Sequence, residues 1–115
     1  MIAYEEWKIV YQDPNIDVRI DPQEPEGYGL NIIGTENYLL LPRGTLREIA
    51  TSKIPQAKRI LESLIPYSLK EEFFKDTKLN HEYLIYALTK AHSKEEERLQ
   101  QYLQEIVDET SDGCF

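Results

Sequence analysis

The chain has 115 residues, 41% hydrophobic and 30% charged, with 21 acids against 13 bases and a net charge of -8. That size supports a single domain, and no apolar run approaches the ~20 residues that cross a bilayer. The acidic balance argues against a general nucleic-acid binder, which carries an excess of positive charge.

Cys114 is the single cysteine, so an internal disulfide is excluded. Met1 to Glu6 has no basic stretch leading into an apolar core, so no signal peptide is expected, and a cytoplasmic location is.

The first 42 residues read as β-rich. In Trp7-Lys8-Ile9-Val10-Tyr11, a strand would put Trp7, Ile9 and Tyr11 on one side. The competing helix would gather Ala3, Trp7, Val10 and Tyr11, and the strand is the preferred reading. Asp13-Pro14-Asn15 has turn chemistry. Ile16, Val18 and Ile20 alternate with Asp17, Arg19 and Asp21, the period of a half-buried strand with a wet, acidic face. Asp21 to Gly27, with two prolines, is a loop. Tyr28 to Ile33 and Tyr38 to Leu41 are further strands, joined through Gly34-Thr35-Glu36-Asn37 as a hairpin. Short links favour an antiparallel meander.

Residues 43–110 read as helical, with 111–115 as a loose tail. Thr45-Leu46-Arg47-Glu48 has the spacing of a capping box, as do Ser68 to Glu71 and Ser93 to Glu96. Pro55 suits a first helical turn, and Ala57, Ile60, Leu61, Leu64 and Ile65 follow at helical spacing until Pro66. Asn80 is an N-cap candidate. Leu84, Ala87, Leu88 and Ala91 carry one helix. Leu99, Tyr102, Leu103, Ile106 and Val107 form the cleanest apolar stripe in the chain, with Leu103 expected in the core. Glu95 would fall near that stripe in one continuous helix, so a break around His92-Ser93 is expected. Tyr38 to Gly44 followed by a helix resembles swapped-hairpin antitoxin domains; the resemblance spans a few residues and implies no function here. The fold expected is α+β: a sheet of three or four antiparallel strands, then four or five helices packed mostly on one face.

Charge is uneven. Residues 1–42 carry eight acids and two bases, residues 43–98 nine acids and eleven bases, and residues 99–115 four acids and no base.

Catalytic motifs are missing: no Gly-rich phosphate loop, no paired-histidine zinc motif, no Gly-x-Ser-x-Gly. Asp13, Asn15, Asp17, Asp21 and Glu24 match calcium-loop positions, but Val18 replaces the required glycine and Pro14 and Pro22 interrupt, so no metal site is expected. His81 and His92 lie ~16 Å apart on a helix, too far to share an ion. Neither an enzyme nor a cofactor is expected.

The chain carries eight tyrosines, a residue enriched at interfaces. The reading is therefore a small acidic protein-binding module (adaptor, inhibitor or immunity-type factor) that engages a basic partner surface. Asp17, Asp21, Glu24, Glu26, Tyr83 and Tyr86 are its contact candidates. A DNA mimic would act in the same way. The alternative is a nucleic-acid-associated regulator using Arg43, Arg47, Lys58 and Arg59, and a homodimer is compatible with either.

Overall fold

The computed structural model describes residues 3–23, 27–75 and 79–113. A 3-10 turn, Tyr4–Glu6, precedes strands β1 (Ile9–Gln12), β2 (Ile16–Ile20), β3 (Tyr28–Ile32) and β4 (Tyr38–Leu41). Helices α1 (Thr45–Thr51), α2 (Ile54–Leu64), α3 (Tyr67–Phe74) and α4 (His81–Gly113) follow, so the fold is α+β.

The strands pair antiparallel in chain order β1-β2-β3-β4. Each link is built by local chemistry. Asp13 closes the first hairpin by accepting from the backbone N–H of Asn15 (2.8 Å) and Ile16 (2.9 Å), which is the Asx geometry that favours Asp in turns. Gly34, at φ 96°, supplies the left-handed residue of the β3–β4 turn.

Pairing of Ile16 with Ile32, Val18 with Leu30 and Ile20 with Tyr28 places one apolar row on the helix-facing side. Ile16, Val18, Leu30 and Leu41 from the sheet meet Ile49, Leu61, Phe73, Leu84 and Leu88 from the helices, all fully buried. α4 packs against α1, α2 and β1.

Several boundaries differ from the expectation. A bulge between Ile9 and Tyr11 breaks the alternation of β1, so Ile9 is exposed while Val10 and Tyr11 pack on the core. Thr45 is not a cap: Gly44, in the left-handed region at φ 81°, precedes α1, and Thr45 is its buried first residue. α3 begins at Tyr67 after Pro66, so Ser68 lies inside it. Asn80 does cap α4, its side chain accepting from the N–H of Tyr83 at 2.8 Å.

The expected break at His92-Ser93 is absent. α4 runs as one helix to Gly113, past the point where a loose tail was expected. Ser93 bonds back to the carbonyl of Thr89 at 3.3 Å, an arrangement compatible with a helix interior. Glu95, the residue that argued for a break, is buried with Arg98 one turn on as its counter-ion.

Candidate interaction surface

At 1.5 Å per residue the 33 residues of α4 extend ~50 Å, longer than the body is wide. Its first half is core: Leu84, Ala87, Leu88 and Ala91 are fully buried. Beyond Arg98 it leaves the body as an arm. The radius of gyration is 16.1 Å, against ~13 Å for a compact chain of this length.

The arm carries the stripe on its surface. Leu99 is 46% exposed, Tyr102 57%, Leu103 59%, Ile106 41% and Val107 57%, so the expectation that Leu103 belongs to the core is corrected. The physical reason is length: Glu95 is the last buried residue among those described, and α4 continues for 18 residues beyond it to Gly113. The five side chains expose on the order of 500 Å², the upper range for the largest apolar patch of a monomer.

On the side of α4 away from the stripe, Lys90, Lys94 and Arg98 recur every four residues with Glu97 among them, and Glu105 and Asp108 follow towards the tip.

A cleft of about 360 Å³ opens at the root of the arm, lined by Tyr28, Arg43, Arg47, His92, Arg98 and Leu99 together with Leu46, Gly44, Glu95 and Glu96. Within it, the Arg98 Nε donates to Glu95 at 3.1 and 3.2 Å. Those hydrogen bonds hold the guanidinium above its ordinary pKa. Burial, then the charge of Glu95, pushes the Tyr28 hydroxyl up. His92 pairs with Glu96 at 3.2 Å. His92 therefore sits mid-helix rather than at a helix end.

The expected acidic surface is not assembled as the sequence suggested. Asp17 is 4% exposed, which corrects the wet-face reading. The N-terminal turn covers that side of the sheet. The Tyr4 hydroxyl donates to Asp17 at 2.7 Å, Arg19 pairs with it at 3.3 Å, and Tyr4 stacks on Tyr38 at 4.5 Å. Asp21 is half-buried and accepts from the N–H of Gln23. Glu24 and Glu26 lie outside the described residues, as does Cys114.

Tyr83 and Tyr86 separate. The Tyr83 hydroxyl is half-buried and donates to Asp13, which also accepts from Tyr11 at 3.0 Å. This ties the first turn of α4 to the first hairpin. Burial alone would raise the Asp13 carboxyl, but hydrogen bonds from Tyr83, Ile16, Asn15 and Tyr11 outweigh it and hold the carboxyl below its usual value. Tyr86 is 55% exposed, with the Lys90 ammonium 5.5 Å from its ring centre.

The candidate basic residues also divide. Arg43 and Arg47 share the cleft, Arg59 lines a separate groove with Glu48 and Gln56, and Lys58 is half-buried. They form no single stripe. His81 pairs with Glu62 at 2.9 Å and stacks on Phe74. Among the described residues no group of histidine, cysteine or acidic side chains is placed to hold a metal ion, and no helix is long and apolar enough to cross a membrane.

Sequence reasoning found the stripe but not its exposure. The signal was there: no proline or glycine interrupts residues 81–112. No protein-family model, curated protein or solved structure matches the chain.

Proposed function

We propose that this chain is a small protein-binding module of the adaptor, inhibitor or immunity type, and that its contact element is the projecting arm of α4. The observation that carries the reading is the exposure of Leu99, Tyr102, Leu103, Ile106 and Val107 on a helix rooted in a packed body. Such a face buries apolar area against a groove or a second helix. The carboxylates along residues 105–109 suit a partner of basic surface and steer its approach.

The contact residues proposed are thus those of the arm, with Asp17 set aside because it is buried. Retention of native-source proteins on the immobilised chain at low and high salt, beside a Leu103→Asp/Val107→Asp variant, tests this. Wild type is expected to retain a salt-sensitive set that the variant loses. Identical retention by both would remove the arm from the function.

A further inference from the structure

The sheet has two edges, and they differ. β1 forms one and β4 the other. The β1 edge is broken by the bulge between Ile9 and Tyr11, and α4 packs against it. β4, Tyr38-Leu39-Leu40-Leu41, has no bulge, charge or proline, the devices that blunt an edge strand. We propose that two copies of this chain pair through antiparallel β4 edges, joining the two sheets into one. The contact is separate from the arm and goes beyond the function read from it.

The register decides which backbone groups the edge presents. In antiparallel pairing, hydrogen bonds join residues directly opposite, and successive residues turn their N–H and carbonyl to alternate sides. The Ile33 N–H donates to the Asn15 carbonyl at 2.8 Å, one step beyond the Ile16–Ile32 pair. Gly29, Asn31 and Ile33 therefore bond towards β2, while Tyr28, Leu30 and Ile32 turn towards β4. Leu41 and Leu39, opposite Tyr28 and Leu30, bond back to β3. The N–H and carbonyl of Tyr38 and Leu40 are left pointing off the edge. Among the described residues no backbone group outside the sheet bonds to them.

The same edge supplies its own complement. With Tyr38 opposite the second copy's Leu40, two antiparallel edges exchange four hydrogen bonds, and every outward N–H meets an outward carbonyl. Sliding by two residues one way sets Pro42, which has no N–H, against Tyr38. Sliding the other way runs Leu40 into the turn at Glu36. Leu40 is 56% exposed and Tyr38 37%. Both lie on the sheet face opposite the helices, so the pairing sets tyrosine rings against leucines across the two strands.

The strand ends agree with this order. Glu36 and Arg43, both exposed, stand just before and just after β4. Antiparallel pairing brings the start of one strand to the end of the other, so Glu36 comes alongside the second copy's Arg43 at both ends. A parallel pair would set like charges together. Because the β1 edge is bulged and covered, the joined sheet offers no open edge, and the isologous contact closes at two copies. Two four-residue strands bury less than the ~1,000 Å² of a stable specific interface. The dimer is therefore weak and forms at high concentration.

The test is sedimentation equilibrium of the full chain from about 10 to 500 μM. Wild type is expected to pass from monomer towards dimer over that range. Leu40→Pro removes an outward N–H but no bond to β3, and Leu40→Lys puts a charge on the edge. Each is expected to weaken dimerisation at least tenfold. Circular dichroism and the urea midpoint check that the body folds, and Leu40→Lys carries the test if the proline variant does not. Glu36→Arg is expected to weaken pairing at least threefold, and Glu36→Arg/Arg43→Glu to recover it. Leu103→Asp is expected to leave the dimer unchanged, which separates this contact from the arm. A wild-type monomer at about 500 μM overturns the pairing, as does a dimer that survives Leu40→Lys or is lost in Leu103→Asp. A double charge variant no stronger than Glu36→Arg overturns the antiparallel order.

Discussion

Replacing Gly29 with alanine should destabilise the protein through contacts made far away in sequence. A Cβ at residue 29 would stand 2.7 Å from Tyr4 Cε2 and 2.9 Å from Trp7 Cζ3. Neither separation is tolerable for carbon, so the N-terminal turn must move. Overpacking of this kind costs about 1–3 kcal/mol. Displacing Tyr4 also breaks its 2.7 Å bond to Asp17 and its 3.1 Å bond to the Gly29 carbonyl. Asp17 is buried, and a hydrogen bond to a charged group contributes about 1.5–3 kcal/mol. Arg19 remains beside the carboxylate and limits the loss, so the expected total is about 2–4 kcal/mol, within the range for a buried network. Tyr4→Phe, which keeps the ring and removes only the hydroxyl, should cost about 1.5–3 kcal/mol. Urea unfolding followed by the fluorescence of Trp7, the single tryptophan, measures both. An unchanged midpoint for Gly29→Ala would show that the turn is not docked on the sheet, and the account of why Asp17 is buried would fail with it.

Leu88→Ala, at a fully buried position, should cost about 2–5 kcal/mol. Leu103→Ala, at a position 59% exposed, should cost under about 0.5 kcal/mol by urea unfolding, as exposed substitutions do. Burial first, then the bond to Asp13, pushes the Tyr11 hydroxyl from 10.0 up to about 12. Its contribution is therefore complete below pH 10 and is lost as pH rises towards 12, and Tyr11→Phe should flatten the melting-temperature profile there. The Asp13 carboxyl is shifted the other way, so its contribution is present above the unfolded value near 3.8 and is lost as pH falls through the lower folded value. Asp13→Asn should reduce that acid dependence. Gly44→Ala forces a side chain into the left-handed region at φ 81° and should cost about 1–2 kcal/mol by thermal melting.

The meander was legible because its signals are local: two-residue alternation in Ile16 to Ile20, and turn residues at Asp13 and Gly34. What failed was decided by distant partners. Asp17 obeys the strand period and does lie opposite the core, yet Tyr4 and Arg19 bring a second cover to that face, which alternation alone does not report. Thr45 and Ser93 have the spacing of capping boxes. Gly44 starts α1 one residue earlier, and Arg98 removes the penalty at Glu95 that would have broken α4. The stripe of residues 99–107 has the period of a core helix, and periodicity names a face without saying what covers it. The candidate contact surface was thus readable as a pattern, while its exposure followed only from where the other elements stop.

The rooting of α4 in the body has a kinetic consequence. A free helix must first close a turn at an entropic cost, with a nucleation constant of ~10⁻³, and peptides shorter than ~12–15 residues are marginal in water. The arm never meets that step, because the buried turns around Leu88 and Ala91 are a permanent nucleus from which each further residue only propagates. Amide exchange along α4 should therefore slow least at its far end and grade smoothly back towards Glu95, instead of switching in one block. The arm also becomes tunable at positions off the stripe. At Gln100 and Gln101, changes act chiefly through helix propensity: alanine lengthens the average helical reach, and glycine shortens it at a cost of up to about 1 kcal/mol per site. Affinity at the tip can then drift without any change in the residues that make the contact.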